Sequence, residues 1–139
     1  MSFAIYGEGD QIPDSVFTGD TLFNYGCGRF FEGDESEMER NLQLFISSCG
    51  PKTIILTGHD YAYKNLKFAR TVFPENDSIK SKFMKLEEIN CKLVPFTLWK
   101  DELEANIFLL AFANNLQKKL GFNEPKALLK YLRTMKDNY

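Results

Sequence analysis

Two short apolar stretches constrain this chain more than any other feature, because each leads into a side chain that can bind a metal ion. One opens the segment Val16 to Gly33, VFTGDTLFNYGCGRFFEG, and the other opens Ile54 to Tyr61, IILTGHDY. Their β-branched and large apolar residues favour strands, and a Thr-Gly pair ends each stretch. The two strand ends deliver Asp20 and His59, which suggests a metal site.

The rest of the chain divides into a mixed first half and a helical second half. The elements predicted before Pro74 are strands at 2–6, 15–18 and 53–56, a glycine-rich loop at 21–33, and helices after Asp34 and His59. Strand, helix and strand in this order imply α/β layer packing. Beyond Pro74 no strand-like run occurs, and apolar spacing predicts helices, with one or two of them within 98–120.

Composition limits the partners that the protein can have. A 139-residue chain with 44% hydrophobic residues suits one compact domain or two small lobes. Its formal charge of −2 offers no general attraction to nucleic acid or to an acidic membrane. Three cysteines without a CxxC pair fit a reducing compartment. The N-terminal residues resemble neither a secretory signal nor a membrane span, so we expect a soluble cytoplasmic protein.

A catalytic metal site needs more ligands than these residues readily offer. Such sites have about three or four protein ligands, usually histidines with carboxylates, whereas this chain has one histidine. A metal-free alternative pairs Cys27 as nucleophile with His59 as base, but an isolated cysteine among glycines is more often a packed small residue. The last helix carries a basic stripe, which consists of Lys126, Lys130, Arg133 and Lys136. By default, such a stripe is the solvated face of a helix.

Five motifs occur in an order and at separations that indicate one family: TGDTLF, GCGRFFEG, GHDY, NLKFA and RTMKD. In these motifs the chain resembles glyoxalase II, the hydroxyacylglutathione hydrolase branch of the metallo-β-lactamase fold. GCGRFFEG followed by GHDY and NLKFA is far more specific than a lone glycine motif. The resemblance runs through nearly the whole chain.

The resemblance implies a fold, a reaction and a cofactor. The implied fold is an αββα sandwich, of which residues 1–73 would form the C-terminal portion, followed by an all-helical glutathione-binding domain at 74–139. The implied reaction, part of methylglyoxal detoxification, hydrolyses the thioester S-D-lactoylglutathione to D-lactate and glutathione. The implied cofactor is a binuclear centre of zinc, iron or manganese, which makes hydroxide available near neutral pH.

The resemblance also assigns roles to individual residues. Asp20 matches the metal-bridging aspartate of the family, and His59 matches its last histidine ligand. The residues that match glutathione-binding positions are Arg29, Phe31, Tyr61, Arg133 and Lys136. Phe31 stands where many family members have a tyrosine, so a hydroxyl contact would be absent there.

The chain departs from the family pattern in its metal ligands. The histidine-rich THxHxDH motif of the family is absent from the 139 residues. The chain therefore resembles the C-terminal half of such an enzyme, and we expect a truncated form that is inactive alone. The alternative is a non-catalytic remnant that binds glutathione, or an interaction module that depends on a partner chain. A mitochondrial location stays open for a full-length form.

The same departure predicts an exposed surface. Without the first half of the sandwich, the strands at 2–6, 15–18 and 53–56 would show an apolar face and open edges. We therefore expect self-association through the exposed sheet face.

Overall fold

A computed structural model of the chain describes residues 1–29, 34–90 and 93–139. The strands are β1 (Phe3–Ile5), β2 (Ser15–Gly19), β3 (Leu22–Phe23), β4 (Gly26–Cys27), β5 (Ile54–Thr57) and β6 (Thr97–Leu98). The helices are α1 (Glu35–Ser48), α2 (Ala62–Val72), α3 (Asp77–Glu88), α4 (Trp99–Ala105), α5 (Ile107–Leu110), α6 (Asn114–Leu120) and α7 (Pro125–Asp137). About half of the chain is helical, so the predicted mixed α/β class is confirmed.

Four strands form one sheet in the order β1-β2-β5-β6. β2 and β5 are parallel, with Val16 opposite Ile55, whereas both outer strands run antiparallel to their neighbours. The parallel strands therefore end at the same edge of the sheet. β3 and β4 form a separate hairpin inside the predicted loop at 21–33. Strands of two residues are too short for an alternating pattern to show in the sequence.

The two faces of the sheet differ in their exposure to solvent. Val16 and Ile55 are buried on the face that packs into the hydrophobic core. On the other face Phe3 lies opposite Phe17, and these residues are 62% and 44% exposed. Phe3 and Phe17 thus form an exposed apolar surface of the kind predicted from the sequence. Self-association through it stays a prediction.

Local sequence explains where the long helices begin. Asp34 accepts hydrogen bonds from the backbone N–H groups of Ser36 and Glu37 at 3.0 Å, so α1 starts directly after it. α1 packs against α7, and α2 packs against α3. Among the residues that the structure describes, no helix combines the length and the apolar character needed to cross a membrane.

The prediction of an all-helical segment at 74–139 is wrong in one place, because β6 lies there and extends the sheet. Thr97 pairs with Ile55, and the backbone N–H of Trp99 donates to the carbonyl of Thr53 at 2.8 Å. A two-residue strand gives no periodic signal in the sequence. The sheet therefore contains residues from both sides of the predicted domain boundary.

The region at 98–120, predicted as one helix or two, contains three short helices. Asn106 separates α4 from α5, because its side-chain oxygen accepts from the N–H of Phe108 at 3.1 Å and starts a new helix. Its Nδ2 donates to the carbonyl of Gly26 at 3.1 Å. The break between the helices thus provides a contact with the β3–β4 hairpin.

Glu102 on α4 is fully buried and joins three parts of the chain. Its carboxylate accepts hydrogen bonds from the backbone N–H of Tyr25 at 3.0 Å, from Thr97 Oγ1 at 2.6 Å and from Asn106 Nδ2 at 2.8 Å. Tyr25 has a φ of 60°, a left-handed conformation that costs a non-glycine residue about 1 kcal/mol. The bond to Glu102 stabilises the hairpin turn in this conformation. The hairpin in turn leads into the candidate site.

We expect Glu102→Ala to lower the free energy of unfolding by about 3 kcal/mol, because several buried donors lose their acceptor. Urea denaturation followed by circular dichroism measures this loss. Glu88→Ala removes an exposed carboxylate at the end of α3 and is the matched control. The control should change stability by less than about 0.5 kcal/mol. Equal stability of the two variants would contradict the role assigned to Glu102.

The same residue predicts a pH dependence. Burial raises the pKa of Glu102 from 4.5 to about 7, although its hydrogen bonds act in the opposite direction. Between these values the folded protein holds the proton more tightly than the unfolded chain. The stabilising contribution of this proton is therefore complete below about pH 4.5 and is lost as the pH rises to about 7.

We therefore expect the free energy of unfolding of the wild type to fall with rising pH relative to that of Glu102→Gln. The difference should amount to at most about 1.4 kcal/mol per pH unit. Urea titrations at several pH values between about 5 and 7 measure it. Parallel pH profiles of the two proteins would show that Glu102 does not titrate in this range.

Candidate functional site

A pocket of about 490 Å³ opens where the ends of β2 and β5 meet the hairpin, α2 and α7. Its lining residues are Asp20, Phe23, Cys27, Gly28, Arg29, His59, Tyr61, Lys64, Asn65, Arg133 and Lys136. Six of the seven residues predicted for the site are among them. The seventh, Phe31, lies outside the described residues.

Asp20 and His59 meet because the parallel strands β2 and β5 end side by side. His59 Nδ1 lies 2.9 Å from Asp20 Oδ1, and the two side chains are 57% and 70% exposed. Gly58 permits this approach, because a Cβ at that position would lie 2.9 Å from Asp20 Oδ1. Thr57 Oγ1 donates to the carbonyl of His59 at 2.8 Å. The structure thus brings the two predicted metal ligands together and leaves them accessible.

The chemistry of this pair fits a metal ion. An imidazole nitrogen and a carboxylate oxygen are ligands that zinc and iron both accept. Within 1–29, 34–90 and 93–139, no other histidine, cysteine, aspartate or glutamate lies close enough to form a group of three metal ligands with this pair. Among the described residues, Asp20 and His59 are therefore the two that could hold such an ion.

Two aromatic rings lie beside the pair. Tyr61 stacks on His59, with ring centroids 5.6 Å apart and an interplanar angle of 13°. Phe23 meets Tyr61 edge to face, with centroids 4.9 Å apart and an angle of 82°. Tyr61 is 42% exposed. Its ring is therefore held in place by aromatic contacts while it stays accessible to a ligand.

Arg133 on α7 is buried, and its guanidinium is extensively hydrogen-bonded. Nη1 donates to the carbonyl of Cys27 at 2.9 Å and, over 3.4 Å, to that of Gly28. Nε donates to Asp137 Oδ1 at 3.1 Å, and Nη2 lies 2.9 Å from the same oxygen in an ion pair. Arg133 therefore ties α7 to the segment that follows β4, and most of its donors have a partner within the protein.

The other cations of the pocket are more accessible than Arg133. The side chain of Arg29 is 62% exposed, and its Nε lies 3.5 Å from Asp137 Oδ1. Lys136 is half-buried on α7. Burial lowers the pKa of Lys136, and so do the nearby charges of Arg133 and Lys64. The pocket thus gathers positive charge, which suits an anionic ligand.

Cys27 lines the pocket but is buried. Burial raises the pKa of its thiol to about 12. A thiol with this pKa supplies little thiolate near neutral pH, which disfavours the hypothesis of a Cys27 nucleophile with His59 as base. The interpretation of Cys27 as a packed small residue agrees with its burial.

Around the pocket, no role is predicted from the sequence for Lys64, Asn65 or Asp137. Lys64 lies three residues after Tyr61, so helical spacing places both near one side of α2. Asp137 lies four residues after Arg133, a spacing that predicts an ion pair on a helix. Asn65 contacts the distant hairpin, for which the sequence carries no local signal.

Comparison with protein families finds a match over residues 60–139 to the model described as the hydroxyacylglutathione hydrolase C-terminus. The chain is similar to the cytoplasmic hydroxyacylglutathione hydrolase of Arabidopsis thaliana, with 36% identity over 142 residues. It is 36% identical to a hydroxyacylglutathione hydrolase-like protein of Gallus gallus. It is 40% identical to the hydroxyacylglutathione hydrolase of Wigglesworthia glossinidia brevipalpis.

These matches cover nearly all of this chain but only part of each relative. The three alignments include 100%, 100% and 94% of the chain. They include 54%, 50% and 54% of the respective relatives. The chain thus spans about half the length of the curated relatives it matches.

Proposed function

Because the chain belongs to the hydroxyacylglutathione hydrolase family, we propose that it forms the glutathione-binding part of a thioester hydrolase. The family predicted from the sequence motifs is thereby confirmed. The proposed reaction is the hydrolysis of S-D-lactoylglutathione to D-lactate and glutathione. The reaction remains a proposal, since the chain spans about half the length of its relatives.

One observation carries this proposal: a single pocket contains both the Asp20–His59 pair and a group of cations. A glutathione thioester has carboxylates on its peptide part and an uncharged thioester group. A suitable site therefore needs positive charge close to a centre that activates water. The pocket combines both features, and aromatic rings line it as well.

In this proposal Asp20 and His59 are two ligands of the metal centre. Their donor atoms lie 2.9 Å apart and are accessible, which supports that role. When bound, zinc, iron or manganese would supply Lewis acidity for the thioester carbonyl and would lower the pKa of water. Tyr61 orients the imidazole by stacking on its ring.

Arg29, Tyr61 and Lys136 are proposed to contact the glutathione part of the substrate. All of them line the pocket, and Arg29 and Tyr61 are well exposed. Arg133 adds positive charge to the same wall and holds the segment after β4 in place. Its assigned role, to bind the glycine carboxylate together with Lys136, remains part of the proposal. The glutathione contact assigned to Phe31 stays a prediction.

We propose that the sheet, together with α1 and α2, corresponds to part of an αββα metallo-β-lactamase sandwich. The parallel β2–β5 pair and the exposed opposite face of the sheet support this. The domain boundary between residues 73 and 74 stays a prediction. So does self-association through the exposed face.

We also propose a cytoplasmic location, which the name of the Arabidopsis relative supports. Partners other than the glutathione-derived substrate are not part of the proposal. The formal charge of −2 gives no general reason to expect nucleic acid or an acidic membrane as a partner.

A second candidate function is glutathione binding without hydrolysis. The observation that favours it is the number of metal ligands, because the chain has one histidine and its described residues provide Asp20 and His59 alone as a pair. A catalytic metal centre usually has about three or four protein ligands. In this case the pocket would bind glutathione, and any chemistry would need ligands other than the described residues.

Titration of the 139-residue chain with glutathione in a calorimeter tests the binding proposal. We expect Arg29→Gln to bind about tenfold more weakly than the wild type, because a charge-assisted hydrogen bond is lost. Arg40→Gln removes an equal charge from the exposed side of α1, outside the pocket, and should bind like the wild type. A wild type that does not bind glutathione would overturn the proposal.

Zinc retention after loading separates the two candidate functions, and an assay with S-D-lactoylglutathione tests whether the 139-residue chain is active alone. We expect the wild type to retain more zinc than His59→Ala after dialysis, because the imidazole is one of its ligands. We also expect no hydrolysis by the 139-residue chain alone, because a catalytic metal centre usually has about three or four protein ligands and the described residues provide two. Hydrolysis that depends on bound zinc would contradict the second candidate and show that the chain completes its own site.

A further inference from the structure

The cations of the pocket differ in whether a carboxylate lies beside them. Asp137 Oδ1 lies 2.9 Å from Arg133 Nη2 and 3.5 Å from Arg29 Nε. In the part of the chain that the structure describes, no carboxylate lies within ion-pairing distance of Lys64 or Lys136. Within the described ranges, these two ammonium groups therefore have no carboxylate partner, whereas Arg29 and Arg133 share one.

Lys64 is positioned to act together with Lys136. It lies in the first turn of α2, lines the same pocket and is exposed, so its ammonium group is free to reach a ligand. Its charge contributes to the lowering of the pKa of Lys136, as expected for two cations that line one pocket. An anion bound between them would relieve this repulsion.

The hydrogen bonds of Arg133 within the protein favour a contribution from another cation to carboxylate binding. Its Nε and Nη1 donate to groups of the protein itself, and its Nη2 forms an ion pair with Asp137. A carboxylate that meets Lys136 therefore finds few unused donors on Arg133. Lys64 supplies three donors on a flexible stem from the neighbouring helix.

We propose that Lys64 is a specificity-determining residue, which binds the glycine carboxylate of glutathione together with Lys136. This proposal rests on the proposed glutathione function and adds a residue to it. Lys64 acts in binding only, so its loss should weaken the affinity for the ligand without altering the thioester chemistry. The pocket would then select peptides that end in a free carboxylate.

Calorimetric titration of the 139-residue chain with two probes tests the proposal. One probe is glutathione, and the other is its monoethyl ester, in which the glycine carboxylate carries no charge. The variants are Lys64→Gln, Lys64→Arg and the matched control Lys67→Gln. Lys67 is also an exposed lysine of α2, but it does not line the pocket. Thermal melts confirm that all variants are folded.

We expect Lys64→Gln to weaken glutathione binding by about three- to tenfold, because a charge-assisted hydrogen bond is lost. Binding of the ester should change by less than about twofold, because its glycine end has no charge to recognise. Lys64→Arg should retain most of the affinity, and Lys67→Gln should bind both probes like the wild type.

Two results would overturn the proposal while the glutathione function stands. If Lys64→Gln and Lys67→Gln weaken glutathione binding equally, the loss of affinity comes from the lower net charge of the protein and not from a specific contact of Lys64. If Lys64→Gln weakens the ester as much as glutathione, Lys64 does not recognise the glycine carboxylate. A wild type that binds neither probe would instead overturn the proposed function, and this proposal with it.

Discussion

A buried carboxylate without a cationic partner connects the two halves of this structure. Glu102 is fully buried on α4, and no cation of the described residues forms an ion pair with it. The carboxylate loses its hydrogen bonds to water on folding, and hydrogen bonds from Tyr25, Thr97 and Asn106 replace them. The hairpin, the last strand and two helices therefore share one acceptor. Displacement of any of them leaves a buried polar group unsatisfied.

The pocket depends on two kinds of structural constraint. Backbone pairing fixes Asp20 and His59, because both follow strands that are parallel neighbours in the sheet. Side-chain contacts fix the cationic wall, since Arg133 joins α7 to the segment after β4 and Asp137 lies between two arginines. The first constraint is set by the sheet alone. The second needs α7 to dock correctly, so the pocket forms only when the helical part is in place.

The sequence reveals those parts of the fold whose signals are local. Asp20 and His59 are predictable as strand ends because apolar runs and Thr-Gly pairs mark them. In the sequence, nothing distinguishes Glu102 from the other charged residues nearby. Its carboxylate bonds to the backbone of Tyr25, which lies 77 residues earlier. β6 also has no local signal in the sequence, because it is a strand only through its pairing with β5. For Arg133, spacing indicates a basic helix face, whereas the structure shows a buried guanidinium bonded to distant carbonyls.

The bonding of Arg133 has a thermodynamic consequence for any ligand of the pocket. A free arginine side chain loses rotational freedom when it binds an anion, and this loss opposes association. Arg133 is already immobile because Asp137 and the carbonyl of Cys27 hold its guanidinium. The entropy of ordering this side chain is therefore lost during folding rather than during binding. The wall of the pocket that carries it is preorganised, and a ligand meets a charge whose position no longer has to be fixed.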